Sequence, residues 1–254
     1  MQKNINTKIM VHSAMLLAIS IVLGYFSAMI PIGGSGSLRI GISGFFYKLP
    51  ALLFGPLYGA IVSGLKDILS YVIKPEGAYI PPMTLTAVLG GVINGAFFTF
   101  IRKRKSDNLR IFYIIIVSLI GILGIANHLN SLYRPDSVWG SFLLSLKDKS
   151  VFLTYGLYIT FIIGVVFYAI NLHMMKTNNR HFCNNHLKIF MSLFISDLLV
   201  TTLNTFILRI YYSGLGKLPF MVVYAPRLAE ELILIFISSY MITYLYGLYR
   251  KLDK

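Results

Sequence analysis

The chain has 254 residues, of which 56% are hydrophobic and 14% aromatic, and its formal net charge is +14 at pH 7. Its mean hydropathy of +0.72 is typical of a protein embedded in lipid. The Lys and Arg residues lie mostly in short connectors between apolar runs, so we expect no nucleic-acid partner. The single cysteine, Cys183, excludes an intramolecular disulfide.

Eight apolar runs predict eight helices that cross or enter the lipid bilayer. The first, residues 9–30, closes on Pro31 and a Gly-rich turn rather than a signal cleavage site, so we expect it to remain in the mature protein. The short run at 42–54 predicts a half-length or tilted helix, and Pro56 is placed to open the next one. The other runs cover residues 57–73, 81–101, 111–129, 151–174, 187–211 and 225–249.

None of these runs has the alternating pattern of a membrane β-strand, so the predicted fold class is an all-α, polytopic membrane helix bundle. Lys and Arg are more numerous in alternate connectors, which places both the N and the C terminus inside the cell. The predicted location is the bacterial plasma membrane.

Some cations interrupt the apolar runs instead of lying in connectors. They are Lys48, Lys66, Arg209 and Arg227. An ionisable group costs roughly 2.5 to 3.5 kcal/mol at the centre of a membrane helix on insertion scales, so these residues predict a polar cavity lined by protein. Together with Arg39 in an outside connector, they predict an anionic, extracellular solute.

Enzyme motifs are missing from the sequence. The adjacent Glu230 and Glu231 are similar to the paired glutamates of intramembrane proteases, but Ile235 stands where those enzymes have an arginine. The chain has no GxxxxGK[ST] loop and no dinucleotide fingerprint, and its five histidines lack metal-site spacing. We therefore expect no catalytic residue, no metal and no cofactor, and any ATP must be hydrolysed by another chain.

Three segments carry a family resemblance. Residues 39–71 read RIGISGFFYKLPALLFGPLYGAIVSGLKDILSY, residues 79–98 read YIPPMTLTAVLGGVINGAFF, and residues 201–235 read TTLNTFILRIYYSGLGKLPFMVVYAPRLAEELILI. In order and spacing they resemble the S components of energy-coupling factor (ECF) vitamin transporters, and the folate-specific group most closely. The resemblance implies a six-helix core, a water-soluble vitamin as solute, and an ECF module made of a transmembrane T subunit and two ATPase subunits.

Residues 111–175 have no counterpart in the usual six-helix S component. The predicted division is therefore residues 1–110 for helices one to four of the core, 111–175 for an inserted transmembrane hairpin, and 176–254 for the last two core helices. The polar connector of this hairpin carries Trp139 with cations on either side. It either covers the solute site or anchors a peripheral hairpin at the membrane interface, and the peripheral hairpin is our prediction.

The predicted solute contacts combine the embedded polar groups with the family resemblance. They are Arg39, Tyr47, Lys48, Lys66, Asp67, Tyr79, Thr84, Asn204, Arg209 and Arg227. Adjacent helical residues point about 100° apart, so Lys66 and Asp67 each need a partner of their own. We expect Asp67 to pair with Lys48 or Arg209. Such an ion pair either stabilises the fold alone or also contacts the solute.

Two more of these contacts have alternatives. Arg39 either pairs with a carboxylate or pterin-type edge of the solute or snorkels at the interface. Arg227 has salt-bridge spacing to Glu230 and Glu231, which would make it structural.

Ala14 and Ala18 form a small-xxx-small pair on the first helix, and Gly24 continues it. The resemblance implies that this surface contacts the T subunit, and ordinary internal packing is the alternative. The sequence thus predicts the substrate-binding subunit of an ECF-type vitamin importer, with folate as solute. Alternatives are an S component for another vitamin or a modified-base precursor, and, from a different class, a multi-pass scaffold or intramembrane enzyme.

Overall fold

Apolar runs of this length fold as helices because a helix satisfies every backbone polar group within the segment when no water is present. The computed structural model describes residues 7–26, 28–31, 37–40, 43–75, 77–104, 106–134, 136–146, 148–177 and 180–252. Its helices are α1 (Thr7–Tyr25), α2 (Ser43–Phe54), α3 (Pro56–Ile73), α4 (Pro81–Arg102), α5 (Asp107–Tyr133), α6 (Val138–Ser145), α7 (Asp148–Lys176), α8 (Arg180–Tyr211), α9 (Ser213–Gly216) and α10 (Phe220–Leu252). Its strands are β1 (Ala28–Pro31) and β2 (Ser37–Ile40).

Each predicted apolar run coincides with one helix, which confirms the membrane helix bundle. In the described part of the chain, five helices are long and apolar enough to cross a membrane, namely α1, α4, α5, α8 and most of α7. Two more, α3 with 18 residues and α10 with 33, also have the length. The 12 residues of α2 form the half-length helix that the short run predicts. The inside position of both termini stays a prediction.

The first helix ends earlier than the sequence predicts. The apolar run continues to residue 30, but α1 ends at Tyr25, and β1 pairs antiparallel with β2 so that Met29 lies opposite Arg39. The prediction of one helix through residue 30 is therefore wrong. The strand pairing accounts for the change, because residues 28–31 form backbone hydrogen bonds with residues 37–40 instead of continuing the helix. Residues 32–36, in the Gly-rich turn, lie outside the described residues.

Prolines open two of the helices, as predicted. Pro56 is the first residue of α3 and follows Gly55, whose φ of 96° is a left-handed conformation that glycine adopts without a steric penalty. Pro81 is the first residue of α4. By contrast, α10 begins at Phe220 instead of residue 225, so Pro226 lies inside the helix.

Glycines bring the backbones of α3 and α4 into contact. A Cβ atom on Gly91 would lie 2.2 Å from the carbonyl oxygen of Gly59, and one on Gly95 would lie 2.7 Å from the Cα atom of Pro56. This confirms that these small residues serve packing within the bundle. The two helices run antiparallel, so the later turns of α3 lie against the first turns of α4, where Thr84 hydrogen-bonds Asp67.

The hairpin of α5, α6 and α7 packs into the core through aromatic side chains. Tyr113 of α5 is fully buried, and its hydroxyl donates a 3.0 Å hydrogen bond to the carbonyl oxygen of Gly164 on α7. The Tyr113 ring lies with its centroid 4.7 Å from that of Phe190 on α8 and 5.7 Å from that of Phe236 on α10. The hairpin therefore covers the faces of α8 and α10 that carry these rings.

Candidate functional site

A polar cavity of about 180 Å³ lies between α2, α3, α4 and α8. Half of the predicted solute contacts line it. They are Tyr47, Lys48, Lys66, Asp67 and Asn204. Other polar residues of the lining were not predicted. They are Ser63, Asn94, Ser196 and Asp197.

Lys48 and Asp197 form an ion pair in the wall of this cavity. The Lys48 Nζ atom lies 2.7 Å from Asp197 Oδ2, and the two side chains are 15% and 9% exposed. Glu231 of α10 interacts electrostatically with both residues, and its side chain hydrogen-bonds Thr201. The Lys48 ammonium group thus pairs with the Asp197 carboxylate on α8, and the Glu231 carboxylate on α10 interacts electrostatically with both.

Asp67 is held by a chain of hydroxyl groups. Thr84, in the first turn of α4, donates a 2.7 Å hydrogen bond from Oγ1 to Asp67 Oδ2, and the Tyr79 hydroxyl lies 2.7 Å from the same Oγ1 atom. Because the threonine hydroxyl has one proton and gives it to the carboxylate, Tyr79 is the donor to Thr84. The expected partners of Asp67, Lys48 and Arg209, are therefore replaced by Thr84.

Tyr47 lies between the two lysines of the cavity. The Lys66 Nζ atom is 5.2 Å from the centroid of its ring, and the Lys48 Nζ atom is 6.0 Å away. Both distances are within the range of cation–π attraction. The ring thus lies beside the two ammonium groups and forms a flat part of the cavity wall.

Asn204 is fixed by α4. Its side-chain oxygen lies within hydrogen-bond distance of the Thr86 hydroxyl, whose single proton is shared between this oxygen and the carbonyl oxygen of Met83. The side-chain amide of Asn204 therefore has a defined orientation in the wall of the cavity, on the side of α8.

Two predicted arginines lie outside the cavity. Arg209 donates hydrogen bonds from Nη2 to the carbonyl oxygens of Leu218, at 2.8 Å, and Gly216, at 3.3 Å, so it fastens the connection between α8 and α10. Arg227 interacts electrostatically with Glu230 and Glu231, in agreement with its structural alternative. The side chain of Arg39 lies outside the described residues. Solute contact by these three arginines stays a prediction.

The exposed face of α1 includes the predicted docking pair. Ala14 and Ala18 are both exposed, and the neighbouring Val11 and Met15 are 51% and 57% exposed. Gly24 does not continue this surface, because a Cβ atom there would lie 3.7 Å from the Cβ atom of Ser43 on α2. Gly24 therefore faces α2, and docking at Ala14 and Ala18 stays a prediction.

Asp197 is the main residue that the sequence-based prediction missed. It interrupts the apolar segment ISDLLV of α8, so the rule that identified Lys48 and Lys66 applies to it as well. Its carboxylate changes the charge balance of the cavity, because the lining then includes two cations, Lys48 and Lys66, and two carboxylates, Asp67 and Asp197. The cavity is balanced in charge, and the prediction of an anionic solute from cations alone was incomplete.

The inserted hairpin does not reach the cavity in the described part of the chain. None of the described residues of α5, α6 and α7 is among its lining residues. Trp139, expected either to cap the site or to anchor the hairpin, donates from Nε1 to Asn127 Oδ1 at 2.9 Å, within the hairpin itself. The side chains of Lys147 and Lys149 lie outside the described residues, and Arg134 is exposed at the end of α5.

Comparison with known proteins gives two matches and one absence. Residues 4–129 match the family of the ECF-type riboflavin transporter S component. The folate transporter FolT of Clostridium novyi (strain NT) is 37% identical over 91 residues, which are 35% of this chain and 50% of that protein. The chain thus spans about half the length of the curated relative it matches. No solved structure matches the chain. Residues 4–129, about half of the chain, are therefore similar to an S component of an energy-coupling factor transporter, which confirms the resemblance predicted from segments 39–71 and 79–98.

Proposed function

We propose that the chain is the substrate-binding membrane subunit of an ECF-type vitamin importer and that its solute is folate or a reduced folate. The observation that carries the proposal is the polar cavity with its buried pair Lys48–Asp197, since ionisable groups at membrane depth mark solute pathways. Three of the four helices that line it, α2, α3 and α4, lie within residues 4–129, which match the S components.

The chemistry of the lining suits a solute with two different ends. A pterin ring offers adjacent N–H donors, and the Asp67 carboxylate can accept them as a pair of charge-assisted hydrogen bonds. Tyr47 provides a flat ring for stacking. The carboxylates of the glutamate tail of folate need a cation. Lys66, which lies beside the Tyr47 ring, provides one.

Solute entry requires the cavity to widen. A volume of about 180 Å³ is below the roughly 300 to 1,000 Å³ of ligand pockets. Tyr79 precedes α4, is 39% exposed and is fastened to Thr84 by one hydrogen bond. Breaking this hydrogen bond would release the Thr84 hydroxyl, which holds Asp67 in the cavity wall.

Riboflavin is the second candidate solute, because the matching family is named for it. Its ring system is flat and has an amide-like edge, which Asp67 and Asn204 suit, but riboflavin has no carboxylate. Only folate has a carboxylate with which a lysine of the cavity can pair, so a lysine substitution distinguishes the two candidate solutes. Loss of the Lys66 charge should weaken folate binding and leave riboflavin binding nearly unchanged.

The proposed partners are a T subunit and two ATPase subunits. Support for them comes from the exposed Ala14 and Ala18 of α1, which allow another helix to approach closely. In this assembly the chain itself is not an enzyme, and the ATPase subunits supply the free energy for import. A multi-pass scaffold remains the competing class, and it has no need of a solute.

Ligand binding by the purified full chain tests the proposal. We expect folate to co-purify from bacterial membranes, as detected by mass spectrometry, and to bind in calorimetric titration. Lys66→Met should weaken folate binding by about 10- to 100-fold, the loss of a charge-assisted contact. The matched control is Lys74→Met, which removes a lysine that is exposed beyond the end of α3. Monodisperse protein that binds neither folate nor riboflavin would favour the scaffold.

A further inference from the structure

A second and larger cavity lies at the opposite end of the bundle. The inner groove, of about 1210 Å³, is bounded by the starts of α1 and α8 and by the ends of α2, α7 and α10. On α8, Asn185 lines the inner groove and Ser196 lines the polar cavity. These two residues are 11 positions apart, which is about 16 Å along the helix. The positive-inside pattern assigns the inner groove to the cytosolic side.

The lining of the inner groove is basic. Its ionisable residues are Lys8, His12, His181, Arg250 and Lys251, together with tyrosines. The described lining includes no Asp and no Glu. A concave basic surface with low-dielectric walls concentrates anions.

One wall of the inner groove continues onto an apolar surface. Met241, Tyr244 and Leu248 follow one another at helical spacing on α10 and are 42%, 61% and 45% exposed. Tyr244 and Leu248 also line the groove. The cations lie at the cytosolic end of α10, and the exposed apolar stripe runs along the helix from them. Together they match the charged headgroup and the acyl chain of a single lipid molecule.

We propose that the inner groove binds the phosphate of an anionic phospholipid of the cytosolic leaflet, with Arg250 and Lys251 as its main cations and the acyl chain along Met241, Tyr244 and Leu248. Basic pockets between membrane helices on this side are suited to acidic headgroups. A free phosphate ester shares the headgroup chemistry but would not use the apolar stripe.

The test compares two short-chain lipids on the purified full chain in neutral detergent. Phosphatidylglycerol and phosphatidylcholine are titrated separately, with native mass spectrometry and thermal unfolding as readouts. We expect phosphatidylglycerol to bind and raise the Tm, and phosphatidylcholine to do so weakly. Arg250→Gln/Lys251→Gln should weaken phosphatidylglycerol binding by about 10- to 30-fold, at about one kcal/mol for each cation.

The matched control is Lys103→Gln/Arg104→Gln, which removes two exposed cations from another connector on the same side. It should bind phosphatidylglycerol within about two-fold of the unaltered chain. If the Arg250/Lys251 variant does not fold, His181→Glu places a carboxylate at an exposed position of the groove and should weaken binding to a similar degree.

Three results would overturn the proposal. The first is equal phosphatidylglycerol binding by the unaltered chain and the groove variants. The second is an equal effect of glycerol 3-phosphate or inorganic phosphate without lipid, which would identify a site for a soluble anion. The third is unchanged lipid binding with weaker retention of the T subunit by the groove variant, which would identify a protein contact.

Discussion

Lys48 on α2 donates a 2.7 Å hydrogen bond to Asp197 on α8, and these two residues are 149 positions apart in the sequence. Glu231 on α10 interacts with both members of this pair. Glu231 also interacts electrostatically with Arg227. The Lys48–Asp197 pair and Glu231 therefore tie α2, α8 and α10 together beside the cavity.

This arrangement predicts unequal effects of two neutralising substitutions. Lys48→Met leaves the buried Asp197 carboxylate without its cation, beside Glu231, and should lower the free energy of unfolding by about 3 to 5 kcal/mol. Asp197→Asn should cost less, because Glu231 still faces Lys48. Thermal and denaturant unfolding in detergent measure both, and the double variant gives the coupling energy. Equal losses from the two single variants would mean that Glu231 is not part of the cluster.

Much of the bundle could be predicted because the apolar runs alone determine where helices form. The partners of the embedded charges could not, since Lys48 meets a residue in a distant helix and Asp67 meets Thr84 on the next one. The rule that identified Lys48, namely that an ionisable residue within an apolar run indicates a polar site, also applies to Asp197. The early end of α1 depends on the pairing of β1 with β2, which the apolar run of residues 9–30 does not reveal.

The contact between α3 and α4 predicts that Gly91 is sensitive to a single methyl group. Gly91→Ala would place a Cβ atom 2.2 Å from the carbonyl oxygen of Gly59, so the helices must separate. We expect a loss of about 1 to 3 kcal/mol in the free energy of unfolding. The control is Gly247→Ala on α10, which meets no atom within 4 Å and should be neutral or stabilising. Unfolding curves compare the two, and equal stability would refute the close contact.

Arg39 tests the resemblance to the folate-specific group. On the expectation that its guanidinium reaches the anionic end of the solute, Arg39→Ala should raise the Kd for folate by about 10- to 100-fold. Expression should hardly change, because Arg39 lies on the short strand β2 outside the helical core. Arg134→Ala, at the exposed end of α5, is the control. Calorimetry with unchanged affinity in a monodisperse Arg39→Ala protein would remove Arg39 from the site.

The exposed face of α1 predicts a separation of binding from uptake. Ala14→Trp or Ala18→Trp should block the close approach of another helix and stop uptake, while solute binding by the isolated chain stays intact. Ile122→Trp places the same large side chain on α5, where Ile122 is 61% exposed, and should leave uptake normal. Radiolabelled uptake in cells and titration of the purified chain give the two readouts. Normal uptake by both alanine variants would rule out the docking role.

The inserted hairpin should matter for stability and not for affinity. Tyr113 is fully buried between Phe190 of α8 and Phe236 of α10, so Tyr113→Ala leaves a large cavity and should lower the free energy of unfolding by about 3 to 5 kcal/mol. The polar cavity has no described lining residue from the hairpin, so the Kd for folate should stay within about two-fold. Asn204→Leu should show the reverse, with weaker binding and a smaller loss of stability, since Asn204 is partly exposed in the cavity wall. Parallel unfolding and titration of both variants make the comparison. A large loss of affinity in a folded Tyr113→Ala protein would show that the hairpin shapes the site through α8.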